Sequence, residues 1–276
     1  MAAASPRVIE PARGISFPSV RELWDHRDLL YFLARREVSV RYKQSVIGVF
    51  WAVLQPLLLA VVFSVFFGHL AKVPSEPGVP YAPFAVSGMV LWLFFAGAMS
   101  QSSESTVANE RLISKVYFPR VIIPLAAVCP ALIDFCVAFV VVLVTMFVYG
   151  IVPPVQIFLM PLLVVLALTT ATGIGLWLSA LNVRYRDVHH AIPFLILLGL
   201  FISPITYPFN LVPASVQPIY AINPLVGVLE TYRWMLFPTA GWPGAIVLIP
   251  IAASIILLVT GAAYFHRAES RFADII

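Results

Sequence analysis

The sequence predicts an all-α integral membrane protein. It should have six transmembrane helices, an N-terminal amphipathic interface helix and short re-entrant helices at the outer face. Three observations carry this. Of 276 residues, 61% are hydrophobic and 11% charged, against about 45–50% and about 25% in a soluble domain. Long runs with few charges alternate with short charged segments, and 18 or more such residues suffice for a membrane helix. Every Lys and Arg falls between the runs or at the ends. The net charge of +4 therefore reflects membrane orientation and gives no nucleic-acid signal.

The chain divides into residues 1–45, a cytoplasmic tail and interface helix, residues 46–265, the six-span domain, and residues 266–276, a cytoplasmic tail. The first residues are rich in Pro and Arg and show no short apolar core with a small-residue cleavage site, so no secretory signal is expected. Over residues 22–43, Leu30, Leu33, Ala34 and Val38 form an imperfect apolar stripe among basic residues, interrupted by Glu37. A basic amphipathic helix of this kind lies in a membrane surface; a helix packed on other protein is the alternative.

Spans are expected at about 46–71, 81–101, 121–149, 155–181, 191–208 and 244–265. Residues 191–229 hold no charge, too many for one helix, and Pro204, Pro208, Pro213, Pro218 and Pro224 break them. One span followed by a re-entrant segment over 209–242 accounts for this, because non-spanning backbone at that depth requires surrounding protein or a water-filled cavity. Asn223 suits an N-cap and Pro224 the first helical position. Leu225, Val228, Leu229 and Tyr232 would then share a face, with Glu230 and Arg233 as i,i+3 partners. Ala167, Ala171, Gly175 and Ser179 place one small residue per turn on the fourth span, a stripe that lets another helix approach closely, by default in the same subunit.

Counting Lys and Arg orients the chain. Eight precede the first span; Arg111, Lys115 and Arg120 lie in the second-to-third loop, Arg184 and Arg186 in the fourth-to-fifth, and Arg267 and Arg271 in the tail. Lys72 and Arg233 alone fall on the other side. The positive-inside rule then makes both termini cytoplasmic.

Residues 106–124 organise the rest: a short charged segment between two apolar runs. Asn109 can cap a helix over 109–118 that carries Glu110 in its first turn, Arg111, and Lys115 toward its end, with Pro119 as its stop. Leu112, Ile113 and Val116 supply an apolar edge. About two turns are unstable alone, so this helix must dock, either on its own subunit or on a partner. The loop Arg184, Tyr185, Arg186, Asp187 is also short and charged.

Signals for catalysis are weak. No G-x-x-x-x-G-K-[ST] phosphate loop occurs, and the G-x-G of Gly173 and Gly175 lies inside an apolar span. If ATP drives the protein, another chain binds it, and this chain is expected to bind no cofactor and to be no enzyme. His189 and His190 lack a third ligand, so no metal site is expected. Asp134 lies deep in a span, where a charge costs about 2.5–3.5 kcal/mol. It either lines a polar path or is protonated or hydrogen-bonded to a neighbouring Ser or Thr. Cys129 and Cys136 are seven positions apart on one helix, about 10 Å, too far for a disulfide; both read as apolar fillers.

Four stretches, in order, resemble the permease subunits of ABC exporters of lipid-linked polysaccharides such as O-antigen, capsule, galactan or teichoic acid. They are Arg41-Tyr42-Lys43 with Gly48, Trp51 and Gln55-Pro56; Asn109 through Leu112, Ile113, Lys115 and Phe118-Pro119-Arg120; Asn182 through Arg184-Tyr185-Arg186-Asp187; and Ser203-Pro204 with Tyr207, then Asn223-Pro224. Together they cover about residues 22–270. The resemblance implies two copies of the permease with two ATP-binding subunits that hold ATP and Mg, in a bacterial plasma membrane. It also implies an interface helix at 22–43, a coupling helix at 109–116 and a second contact at 184–187. A diphosphate head group would need cations, for which Arg41 and Lys43 are candidates. Trp51, Tyr207, Phe209 and Tyr220 could offer a sliding glycan aromatic surface without strong directional bonds, although an interfacial aromatic belt explains each as well. The rivals are an exporter of a drug or another lipid on the same scaffold, a membrane-embedded envelope-synthesis enzyme, and a secondary transporter. The enzyme would need clustered acids or histidines, and the transporter inverted repeats and midplane charge; neither pattern is seen.

Overall fold

A computed structural model describes residues 20–43, 48–116, 118–269 and 272. Expectations for residues 1–19, 44–47, 117, 270–271 and 273–276, including Arg271 and the tail before Val20, lie outside them. The described residues are helical, without strands. The helices are α1 (Val20–Asp25), α2 (Arg27–Lys43), α3 (Gly48–Phe63, continued by a π-helical stretch Ser64–Leu70), α4 (Tyr81–Ala108), α5 (Glu110–Ile113), α6 (Ile122–Ala127), α7 (Cys129–Val148), α8 (Met160–Arg184), α9 (Val188–Ile202), α10 (Gln217–Tyr220), α11 (Pro224–Leu236) and α12 (Leu248–Glu269). Five stretches among the described residues are long and apolar enough to cross a bilayer: Phe50–Leu70, Tyr81–Ala108, Ile122–Val148, Val155–Arg184 and Leu248–Glu269. The fifth expected span, about 191–208, is the shorter apolar helix Val188–Ile202.

Several bounds move for identifiable reasons. α4 runs past residue 101 to Ala108, about two turns beyond the expected end of the second span. The third span is broken at Val128 into α6 and α7; Pro130 opens α7, where its ring would clash with a continuous helix. α9 stops at Ile202 because Ser203 adopts an extended conformation (ψ 147°), as a residue before proline tends to.

α4 is the hub. Its apolar window is 83% buried, against 17% for Phe50–Leu70. α3, α7, α8 and α9 all pack on it, and α12 packs on α8. The small-residue stripe faces inward within the subunit, as its default reading expects: Ala167, Ala171 and Ser179 are fully buried. A Cβ on Gly175 would lie 2.5 Å from the Ser102 Cβ of α4. On a second side of α8, a Cβ on Gly261 of α12 would lie 2.4 Å from the Gly173 carbonyl oxygen. The G-x-G is therefore a place where two helix backbones touch.

The expected start of α11 is present: Asn223 Oδ1 accepts from the Leu225 amide at 3.1 Å, with Pro224 in the first turn. Leu225, Val228, Leu229 and Tyr232 are buried together, along with most of the rest of the helix. α11 packs beside the start of α12, where a Cβ on Gly227 would meet Pro250. It thus belongs to the end of the molecule opposite the charged loops.

Candidate coupling surface and cavity

Two buried side-chain contacts align the C-terminal ends of α4 and α8. The hydroxyls of Thr106 and Ser179 are 2.6 Å apart, and Asn182 Nδ2 donates to the Ser103 carbonyl at 3.4 Å. Both charged loops therefore leave the bundle side by side. α5 is one assigned turn, but i→i+4 bonds continue to Ser114 (from its amide to Glu110 O, 3.1 Å) and Val116 (to Leu112 O, 3.1 Å), giving about the two turns expected. Ile113 is buried with Leu33 of α2, Phe118, Ile122 and Phe265 in a second apolar cluster. Glu110, Arg111, Lys115 and Val116 are exposed, and Leu112 is half-buried, so Val116 does not join the expected apolar edge. Arg184, Tyr185, Arg186 and Asp187 are likewise exposed.

Asn109 does not cap α5. Its backbone occupies the cap position without a side-chain bond to the helix. Its amide nitrogen instead donates to the Ser105 carbonyl at 2.8 Å, and its oxygen accepts from the Arg36 guanidinium. The side chain thus ties α2 to the turn between α4 and α5. α2 is nearly continuous with α1 through the His26 amide to Glu22 O and the Leu30 amide to His26 O. Leu30, Leu33 and Ala34 face the second cluster, while Trp24, Tyr31, Phe32 and Val40 are exposed. The helix therefore has two apolar sides, one on protein and one free.

Asp134 has partners other than the Ser or Thr expected. One carboxylate oxygen lies 2.5 Å from the Arg41 guanidinium, and the other accepts from the Tyr42 hydroxyl. Burial, then the bond to Asp134, raises the Tyr42 pKa, so it donates throughout the physiological range. Tyr42 and Arg41 close α2, and the pair fastens that end to α7. Beside it lies a cavity of about 460 Å³ lined by Arg41, Trp51, Gln55, Phe94, Asp134 and Ile196. Three candidates far apart in sequence, Arg41, Trp51 and Asp134, are thus brought to one site. Lys43 lies exposed at the end of α2 and does not line it.

The other aromatic candidates gather at the opposite end, around α11. The Tyr207 and Tyr220 hydroxyls are 2.6 Å apart, and Phe209 stacks on Tyr220. Phe209 is buried, so its ring supports Tyr220 and offers no free surface. Sequence reasoning treated Arg233 only as an orientation charge with an i,i+3 partner, and missed its structural part. It is 1% exposed and donates to Glu230 at 3.2 Å and to the Ile205 carbonyl at 3.0 Å, with its guanidinium 4.0 Å from the Phe84 ring centre. Burial raises the Glu230 pKa, and Arg233 opposes that rise.

His189 and His190 are exposed, with rings edge-on at 5.4 Å. Cys129 is half-buried and Cys136 exposed, so Cys136 does not fill a core position; the two are unbridged.

Residues 28–237, from α2 to the end of α11, match the family described as ABC-2 type transporter. The chain belongs to the ABC-2 type transporter family. As an ABC-2 protein it is a multi-pass membrane transport subunit. It is 31% identical to an O-antigen export system permease protein of Klebsiella pneumoniae over 250 residues, 90% of this chain and 95% of that one. A protein of the same description from Myxococcus xanthus is 30% identical over 93% of this chain and 98% of its own length. The polysialic acid transport protein of Escherichia coli is 22% identical over 74% and 79%. The ABC-2 match takes in nearly all of α2, both charged loops and the cavity lined by Arg41, Trp51 and Asp134.

Proposed function

We propose that this protein is the membrane subunit of an ATP-driven exporter of a lipid-linked polysaccharide. Two copies would pair with two ATP-binding subunits in a bacterial plasma membrane, with both termini cytoplasmic. The observation that carries this reading is the near full-length similarity to O-antigen export permeases. Similarity that extended only over apolar spans would speak for the scaffold alone. Here it includes the loops through which a motor would act.

The lack of a phosphate-binding loop in the sequence supports a division of labour. ATP and Mg belong to the partner subunits. Their closure would push on Asn109, Glu110, Arg111, Leu112, Ile113 and Lys115, and on Arg184, Tyr185, Arg186 and Asp187. Exposed charges on a segment seated by Ile113 suit that task, because force applied there reaches α4 directly and α8 through Ser179 and Asn182. Arg36–Asn109 would carry the same displacement into α2. Arg41 and Trp51, on one cavity with Asp134, suit a glycan whose lipid-diphosphate end needs a cation and whose sugars need an aromatic face; Lys43 would add charge beside it. Tyr207 and Tyr220, backed by Phe209, would meet the glycan at the outer mouth formed by residues 209–242. The coupling helix of 109–118 and the tails at 1–45 and 266–276 complete the cytoplasmic side.

The test is reconstitution of the permease with and without its ATP-binding partner. The chain alone should hydrolyse no ATP, and the pair should translocate the lipid-linked glycan only with ATP. Hydrolysis by the chain alone, or ATP-independent transport, overturns the reading.

A further inference from the structure

The end of the bundle that carries the charged loops holds a second cavity, of about 360 Å³, between the ends of α8 and α12. It is lined by Ala180, Val183 and Arg184 from the end of α8, by Tyr264, Arg267 and Ala268 from the end of α12, and by Phe272 beyond it. Among the described residues, two guanidinium-bearing side chains line it and no carboxylate does. Arg184 also lies over the Tyr185 ring, and Arg267 has a partner within the protein as well. With five donors apiece, guanidiniums can serve more than one partner.

What lies beneath the cavity identifies its occupant. Along α12, Ile256, Thr260, Tyr264 and Ala268 recur every four residues on one face, with Arg267 beside them. Ile256 is 60% exposed on the bundle surface. One turn up, Thr260 is exposed and accepts from the Trp177 indole N–H at 3.2 Å. At the next turn Tyr264 stacks on Trp177, with ring centres 4.3 Å apart. Arg267 follows at the cavity. Apolar surface, then a Trp–Tyr pair, then guanidiniums is the order a bilayer presents from hydrocarbon through interface to head group. Basic pockets between membrane helices take anionic lipid heads.

We propose that this cavity binds the phosphate of an anionic phospholipid, with Arg184 and Arg267 on the head group and the Trp177–Tyr264 stack against the first acyl carbons. The site would hold the ends of α8 and α12 to the leaflet on the side of the charged loops. This rests on the membrane architecture and not on the transported cargo.

The full chain is placed in nanodiscs of phosphatidylcholine with either acyl-brominated phosphatidylglycerol or acyl-brominated phosphatidylcholine. Trp177 quenching is taken as the difference between wild type and Trp177→Phe. Phosphatidylglycerol should quench Trp177 several-fold more effectively. That excess should vanish in Arg184→Gln/Arg267→Gln and persist in Arg184→Lys/Arg267→Lys, which keeps the charge and reports that the fold is intact. Equal quenching by the two lipids, or an undiminished excess in the Gln pair, overturns the proposal. Loss of the excess on adding soluble glycerol phosphate would mark a free-anion site and overturns the lipid assignment. Unchanged lipid preference with weakened capture of the ATP-binding subunit would mark a protein-docking site, and likewise overturns it.

Discussion

The Arg41 guanidinium and the Asp134 carboxylate meet at 2.5 Å, joining the end of the amphipathic helix to a membrane span. The charge that sequence reasoning found stranded in apolar surroundings is neutralised by a cation from just before the first span. The Tyr42 hydroxyl completes it. A carboxylate so paired avoids most of the insertion penalty of an isolated charge.

Asp134→Asn should leave Arg41 at the cavity without its counter-ion. Arg41 is 44% exposed and Asp134 19%, so the loss should fall between that of surface and buried pairs, about 1–3 kcal/mol. A double-mutant cycle with Arg41→Gln, read by thermal unfolding in nanodiscs, should show coupling between the two positions. Strict additivity would mean the pair contributes nothing.

Arg233→Met should cost more. It leaves Glu230 buried without its partner and frees the Ile205 carbonyl, and breaking a buried pair costs about 3–5 kcal/mol. Arg233→Lys should restore only part, since one ammonium cannot reproduce the guanidinium's divergent bonds. Limited proteolysis between α9 and α11 reports the effect. Wild-type resistance in Arg233→Met would show that the loop is held by other contacts.

Gly261→Ala tests the α8–α12 crossing. The added methyl would stand 2.4 Å from the Gly173 carbonyl oxygen, forcing the helices apart at about 1–3 kcal/mol. Gly241→Ala, where a Cβ meets nothing within 4 Å, should be near neutral. Equal melting temperatures for the two variants would contradict so close a crossing.

Charge reversal at Glu110 or Lys115 should leave the stability within about 0.5 kcal/mol of wild type, as expected for exposed sites. It should lower glycan export while ATP hydrolysis by the complex continues. Export at the wild-type rate in both variants would remove these residues from the coupling path.

Cysteines placed at residues 114 and 186 should react with an impermeant maleimide only from the cytoplasmic side, and one at residue 214 only from outside. The reverse labelling would invert the topology.

Much of this architecture was legible because its causes are local. Asn223 and Pro224 announce the start of α11 through bonds within two residues. Pro204 ends α9 through its effect on Ser203. Asn109 shows where local reasoning stops: it has the chemistry of a cap, yet Arg36 and the Ser105 carbonyl take its side chain. Arg36 lies on another helix, and its arrival could not be read from the residues around 109. The gathering of Arg41, Trp51 and Asp134 at one cavity is similar, because it depends on how α2, α3 and α7 pack.

By itself, the sequence determined the class of the protein, its succession of apolar helices and where the charged loops fall, because hydropathy, proline and capping act over a few residues. The tertiary structure alone decided which charges meet. Arg41 with Asp134 and Arg233 beneath Phe84 are brought together by helix packing, and Arg184 and Arg267 are brought to one cavity; in an apolar medium the strength of a charge pair depends on distances that no linear pattern encodes.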